Sequence, residues 1–306
     1  MTTISLVIPS YARADQLAVA LESAHQQNRP FNEIVVVVRG DDEATNEMML
    51  HRFERVVHVS EPGVLAAMRA GVDVTTSDIV AFTDDDARLP PQWSSQVLEL
   101  FALPENTDVG AVGGRDRIFD DDLPRPTALT TRVGRVGWWG RLSGNHHRGA
   151  VNGRVVDVLK GVNAAYRREA LGLPLELRGS GAEAHFEVAV GQYVQRHGWR
   201  LRYYSDLTVA HYPGVRRGED QRLLPSDRAV ADSAFNLMRA LAPRRQSRRW
   251  LYVHLAGDAA CPGLMRCAVA IVRQEKSVLA RRRPSWRATS EAWRLRDQPL
   301  EFQSFS

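Results

Sequence analysis

Over the first 112 positions, short β-branched runs alternate with stretches of helical spacing. Ile4–Pro9 is a compact apolar run. Ala14–Gln27 then sets Leu17, Ala20, Leu21 and Ala24 on one helical face, until Asn28-Arg29-Pro30 breaks the pattern. Glu33–Arg39 is apolar on both faces, as a buried parallel strand requires. Glu43–Glu54 reads as a helix and Val56–Ser60 as a strand. Val64–Val74, opened by Pro62-Gly63, reads as a helix, and Ile79–Thr83 as another buried strand. Pro91–Ala102 reads as a helix, with Pro90-Pro91 at its start. Strand and helix alternating at this spacing predict an α/β fold: an open, mostly parallel sheet with helices on both faces.

The pattern changes at Gly113. Gly113–Gly153 is rich in Gly, Arg and Asp, holds Trp138-Trp139 and His146-His147, and reads as long loops around a hairpin. Loops of that length in a compact domain usually cover a site. Val155–Tyr166 and Leu201–His211 read as strands, with a helix over Glu183–His197 between them. From about Asp227 the chain turns helical and arginine-rich. The expected division is therefore 1–225, with halves 1–112 and 113–225, followed by a basic helical appendage over 226–306.

Composition adds two constraints. Two cysteines, Cys261 and Cys267, exclude a disulfide framework and a CxxC zinc site. The net charge of +4 conceals an asymmetry. Residues 244–306 hold 13 Arg and Lys against 5 Asp and Glu, and aromatic residues are interleaved at Trp250, Tyr252 and Trp286. That mixture fits peripheral contact with an anionic membrane. No nucleic-acid-reading motif is present, so nucleic acid is not expected as a partner. The N-terminus carries no signal-peptide pattern and no stretch reaches the length of a membrane span. The expected location is cytoplasmic, at the inner face of the cell membrane.

The strongest chemical signal is Asp84-Asp85-Asp86, directly after a buried strand. Ligands in open α/β sheets bind beyond the carboxyl ends of strands. Carboxylates at this density repel one another unless a cation neutralises them, and hard oxygen ligands suit Mg²⁺ or Mn²⁺. At the end of the first strand, Pro9-Ser10-Tyr11-Ala12-Arg13 offers a ring to stack on a base and a guanidinium for phosphate. Asp41 and Asp42 end the second strand, where either is placed to accept from a base N–H. Glu183 and Glu187, four apart, are expected on one helix face, where either would serve as general base. His211 ends a strand. Each of these, taken alone, is also what a solvated turn or a structural residue looks like.

Their order is more specific. VIPSYAR, VVVRGDD, IVAFTDDDA, KGVNAAYRREAL, a carboxylate before Gly198-Trp199, and a strand ending in His resemble the family-2 GT-A inverting glycosyltransferases over roughly residues 4–213. The resemblance implies a nucleotide-sugar donor and a glycan or lipid-linked acceptor. It places Pro9, Ser10, Tyr11, Arg13, Asp41 and Asp42 in the nucleotide pocket, and Asp84 and Asp85 against ribose, sugar or metal. Asp86 would be the main ligand of a divalent Mn²⁺ or Mg²⁺, with His211 a second. Gly161 and Asn163 would shape the donor and acceptor crevice, Arg115 or Lys160 would face the phosphates, and Glu187 would be the base. Departures occur at Arg39-Gly40-Asp41-Asp42, at Ala67-Met68-Arg69-Ala70-Gly71 and at Phe186-Glu187, the last leaving Glu183 as a rival base. A sugar-phosphate nucleotidyltransferase would need a glycine-rich loop where Pro9–Arg13 stands. A non-catalytic nucleotide- or glycan-binding module would have little use for Asp86, Glu187 and His211 together.

Overall fold

The apolar runs form strands at nearly the expected positions in the computed structural model, which describes residues 2–120, 122–179, 181–214, 226–258 and 260–305. The first half comprises β1 (Ile4–Ser10), α1 (Ala14–His25), β2 (Glu33–Arg39), α2 (Glu43–Met49), β3 (Arg55–Val59), α3 (Val64–Asp73), β4 (Ile79–Phe82), β5 (Ala87–Arg88) and α4 (Trp93–Ala102). Strands β3, β2, β1 and β4 lie side by side, all parallel. Alternation along β1 sends Ile4, Leu6 and Ile8 to the face covered by α1 and α4, and Val7 to the face covered by α3. The second helix is shorter than expected and ends at Met49.

The second half adds β6 (Val109–Asp120), β7 (Leu123–Pro124), β8 (Arg135–Val136), β9 (Leu142–Ser143), β10 (Arg154–Val156), β11 (Ala164–Arg167), β12 (Gly172–Pro174), α5 (Phe186–Arg196) and β13 (Arg200–His211). The main sheet runs β10-β13-β6-β11-β4-β1-β2-β3. Strand β11 is antiparallel to both neighbours, so the sheet is parallel from β3 to β4 and mixed beyond it.

Two expectations change here. The start of the presumed loop region, Gly113–Asp120, is the C-terminal part of the 12-residue β6. Its glycines permit close approach rather than a turn. A Cβ on Gly114 would lie 1.7 Å from the Leu207 carbonyl oxygen, where β13 is irregular against β6 between Tyr204 and Thr208. The strand expected over Val155–Tyr166 is split into β10 and β11 by a turn through Lys160 and Gly161.

Residues 226–305 form α6 (Asp227–Ala240), α7 (Pro243–Leu255), α8 (Leu264–Val272), α9 (Lys276–Arg294) and β14 (Phe302–Ser304). The expected boundary at 225 lies outside the described residues. Several contacts tie the helical region to the body, two of them between named elements. Helix α6 packs on α5, and β14 pairs antiparallel with β12, register Gly172↔Ser304. Phe305 then enters the core cluster that holds Leu171, Leu173 and Val190, with 7 % of its surface exposed. Phe305→Ala is accordingly expected to cost about 3 kcal/mol, the usual scale for an aromatic-to-alanine change in a core. Urea unfolding measures it, and an unchanged midpoint would show that the tail adds nothing to the body.

Candidate active site

The carboxyl ends of β1, β2 and β4 converge, as parallel strands in one register must. Asp84, Asp85 and Asp86 follow β4, and their carboxylates diverge. Asp85 turns toward the end of β1, accepting from Ser10 Oγ at 2.9 Å and from Arg13 Nη1 at 2.8 Å. Asp84 and Asp86 turn toward the end of β13 and His211. One ligand atom from each of these three residues lies within 4.8 Å of the others. Asp86 is also held by the Gly214 N–H at 2.9 Å and by Arg13 Nη1 at 3.1 Å.

One contact in this group is unusual. Asp86 Oδ1 and His211 Nε2 face each other at 3.2 Å, both buried, yet neither makes a well-aligned hydrogen bond. Buried polar atoms are seldom left so. On the far side of the ring, His211 Nδ1 lies 3.4 Å from Asp116 Oδ2, and the same oxygen accepts from Lys160 Nζ. An imidazole oriented by a carboxylate behind it, presenting its other nitrogen to two further carboxylates, is a donor set suited to Mn²⁺ or Mg²⁺.

The electrostatics follow from burial and partners. Burial pushes the Asp84 carboxyl above its usual value, and Asp86 adds to the shift. Burial carries Asp85 up to about 6 against the pull of Arg13. Burial acts on Asp86 and Asp116 too, but His211 outweighs it at Asp86, and His211 with Lys160 hold Asp116 at about 2. His211 is raised: burial opposes its charge, and the close approach of the Asp116 and Asp86 carboxylates prevails.

A cavity of about 350 Å³ opens beside this group, with Pro9, Asp84, Lys160, Gly161, His211 and Glu187 among its lining residues. Glu187 sits in the first turn of α5. Burial raises its carboxyl above the ordinary glutamate value, with Asp84 adding to the shift and Lys160 opposing it. Glu183, expected on the same helix face, lies before the helix instead, because α5 begins only at Phe186 and Glu183 has φ +40°. Its Oε2 accepts from the Leu65 N–H at 2.7 Å, satisfying an amide at the start of α3. A Cβ on Gly63 (φ +123°) would meet that oxygen at 2.7 Å, so glycine makes room for the cap. Glu183→Ala is expected to lower stability by about 1–3 kcal/mol through the orphaned amide. Urea denaturation reads this. Unchanged stability with lost turnover would return Glu183 to the chemistry.

The remaining sequence candidates divide. Asp42 is buried, accepts from the Ala12 N–H at 2.6 Å and caps α2 through the Thr45 N–H at 3.3 Å. Tyr11 is half exposed under the Arg39 guanidinium, 4.3 Å from its ring centroid, and Arg39 pairs with Asp41. Asn163 is fully buried, accepting from Trp93 Nε1 at 2.9 Å and donating to the Leu207 carbonyl at 2.8 Å, so it ties α4 to β13 beneath the cavity. Arg115 is not among the cavity-lining residues, and its Nε is buried without a hydrogen-bond partner. Trp138 and Trp139 lie against α7, under Arg248 and beside Tyr252.

Sequence reasoning missed two residues. Asp116 was hidden by reading Gly113-Gly114-Arg115-Asp116 as a loop; a charged residue inside an otherwise buried strand was the signal. His185 lines the cavity and donates or accepts at Ser233 Oγ, 3.0 Å away, with burial lowering its ring to about 4.

The model of glycosyl transferase family 2 matches residues 5–172, more than half of the chain. The chain belongs to glycosyl transferase family 2. Among curated proteins, the chain is 29 % identical over 119 residues to the glucosyl-dolichyl phosphate glucuronosyltransferase of Haloferax volcanii, covering 36 % of this chain and 37 % of that one. It is 27 % identical over 111 residues to glycosyltransferase YibD of Escherichia coli, covering 35 % and 32 %. The matched stretch thus spans about a third of the length of these relatives. Among solved structures, the mannosyltransferase PcManGT of Pyrobaculum calidifontis, in complex with GDP-Man and Mn²⁺, superposes with a TM-score of 0.54 at 18 % identity, over 96 % of this chain and 87 % of that one. TarS of S. aureus, in complex with UDP-GlcNAc, gives 0.54 at 13 % identity, over 96 % and 92 %. At these identities the likeness is one of fold, and the fold of this family-2 member is GT-A.

Proposed function

We propose that the chain moves a sugar from a nucleoside-diphosphate donor to an acceptor hydroxyl in one in-line displacement, with inversion at the anomeric carbon. The observation that carries this reading is the contact of Asp86 Oδ1 with His211 Nε2: buried, 3.2 Å apart and without a well-aligned hydrogen bond, beside Asp84, with Asp84 and His211 lining the same cavity as Glu187. Asp86 and His211, with Asp84, would hold a divalent cation. Such an ion supplies positive charge to neutralise the departing diphosphate. Arg13 is held at this mouth by Asp85 and Asp86, which sets its guanidinium near the same charge. Tyr11, Asp41 and Asp42 border the place where the base would lie. Glu187, raised by burial, takes the proton of the acceptor hydroxyl, and Lys160 lies within electrostatic reach of it. The donors bound by the fold relatives, GDP-Man and UDP-GlcNAc, support a nucleotide-sugar class.

The test is release of nucleoside diphosphate from a panel of UDP-, GDP- and dTDP-sugars, with and without Mn²⁺. Turnover is expected with the metal and is expected to vanish with excess chelator. Undiminished turnover in chelator would remove the cation from the reading.

We further propose peripheral contact with an anionic membrane through the helical region, close to a lipid-linked acceptor at the inner face. Among the described residues no helix is long and apolar enough to cross a membrane. Helix α8 nevertheless exposes Leu264, Met265, Ala268, Val269, Ile271 and Val272, and only Ala270 is buried. At 100° per residue these six fill one continuous face of about 160°. Arg266 and Arg273 lie beyond one edge of it, and Arg281, Arg282 and Arg283 follow in α9. An apolar face bordered by arginines fits an interfacial helix. Met265→Glu with Ile271→Glu is expected to abolish co-flotation with phosphatidylglycerol vesicles. Flotation equal to the unmodified protein would reject the contact.

A further inference from the structure

The β8–β9 hairpin has two sides, and only one belongs to the cavity that holds Glu187. Leu142 and Gly144 line that cavity. Arg135 and Val136, paired with Ser143 and Leu142 across the hairpin, line a second groove of about 800 Å³. Five of its ten lining residues are arginines: Arg132, Arg135, Arg154, Arg245 and Arg248. None of the ten is acidic.

Five guanidiniums around one groove repel one another, and what offsets the repulsion here is small. Asp157 reaches Arg135 Nε at 3.6 Å and Arg245 Nη2 at 4.0 Å, both longer than hydrogen bonds. Its Oδ2 is also committed to the Val136 N–H at 2.8 Å. The cations are nonetheless positioned. Arg154 Nη1 donates to the Thr131 carbonyl at 2.6 Å, and Arg248 stacks on Trp138 with its Cζ 3.4 Å from the ring centroid. Ordered guanidiniums with too little negative charge around them match an anionic ligand, because their planar forks bind phosphate and carboxylate two bonds at a time.

We propose that this groove is a subsite for an acceptor glycan carrying phosphodiester or carboxylate groups, whose reactive hydroxyl crosses the β8–β9 hairpin to reach Glu187. The proposal rests on the transferase reading above and adds to it the charge class of the acceptor. The wall between the two spaces is thin. Val136 borders the groove and its cross-strand partner Leu142 borders the cavity, and Asp157, which pairs with two of the arginines, precedes Val158 of the cavity lining. A polymer with an anion one or two residues from its growing end would therefore be held on one side while it reacts on the other.

The experiment is equilibrium binding of a glycerol-phosphate oligomer, an oligogalacturonate and an uncharged maltooligosaccharide of similar length to the full chain. Both anionic oligomers are expected to bind at least about tenfold more tightly than the neutral one, with affinity falling between about 50 and 300 mM salt. Binding of only one anionic oligomer narrows the class to phosphodiester or carboxylate. Arg132→Gln with Arg248→Gln is expected to weaken that binding about tenfold. Arg154→Gln alone is a milder variant that reads the same groove should the double variant not fold. Arg55→Gln with Arg196→Gln removes the same charge from exposed positions elsewhere and is expected to change binding less than about twofold. Equal affinity for the neutral oligomer, or equal loss in the distant pair, would overturn the proposal. So would loss of vesicle flotation in the groove variant with glycan binding intact, which would make the groove a membrane contact. Mn²⁺-dependent binding of UDP and GDP, measured on the same unmodified protein, separates failure of this proposal from failure of the transferase reading.

Discussion

Replacing Asp86 with Asn is expected to reduce sugar transfer by roughly 10³-fold or more, since a charge-neutralising cation contributes several kcal/mol to such a transition state. Asparagine keeps the size and one oxygen, so the Gly214 N–H retains an acceptor, and the backbone bond from Tyr212 N–H to the Asp86 carbonyl at 2.8 Å is untouched. The fold should therefore survive while Mn²⁺ affinity, read by calorimetry, is lost. His211→Gln should weaken the metal less, because two carboxylates remain. Near-normal turnover of the Asp86 variant would mean that the three ligand atoms gather for a structural reason alone.

Glu187→Gln is the second large effect, a fall of about 10²–10⁴-fold in kcat with KM little changed, the range for loss of a general base. A base must be ionised, and burial holds this carboxyl above the usual glutamate value. The rate should consequently drop as pH falls through a point above 4.5, and that acid limb should disappear from the residual activity of the variant. Stability carries the opposite sign. A carboxyl raised in the folded state binds more protons there than in the unfolded chain, so stability declines as pH rises from the unfolded toward the folded value. Above that window the charged side chain is a burden, and the glutamine variant should melt higher than the unmodified protein at neutral pH. A variant that is both inactive and less stable would instead mark Glu187 as a packing residue.

Much of the first half was legible in the sequence because each local choice agreed with the global one. β-Branched runs with no polar face, such as Glu33–Arg39, read as buried strands, and Asp84–Asp86 directly after another pointed to the crevice beyond the strand ends. The second half was harder because its elements depend on partners far along the chain. Gly113 and Gly114 look like loop residues until Leu207 and Asn163 are seen pressed against them. Glu183 and Glu187 share a helical spacing, but the helix begins late because Glu183 is drawn across to the Leu65 amide. Asp85 and Asp86 are adjacent in sequence and equivalent by composition, and only the positions of Ser10, Arg13 and His211 separate them. The five arginines of the groove come from three separate segments, so no window of sequence displays them together.

The pairing of β14 with β12 sets an order of events during biosynthesis. Gly172 and Ser304 are 132 positions apart, so the edge left by β12 stays open while all of that chain is being made. At ribosomal speeds the wait is roughly 7–26 s. Until Phe305 emerges, Leu171 and Leu173 lack their final cover, and a nascent chain in that state is open to chaperone binding or to pairing with another copy. Residues 302–305 thus act as a delayed cover: the strands before β12 can be made long before, but the β12 edge is closed only when synthesis has passed position 305.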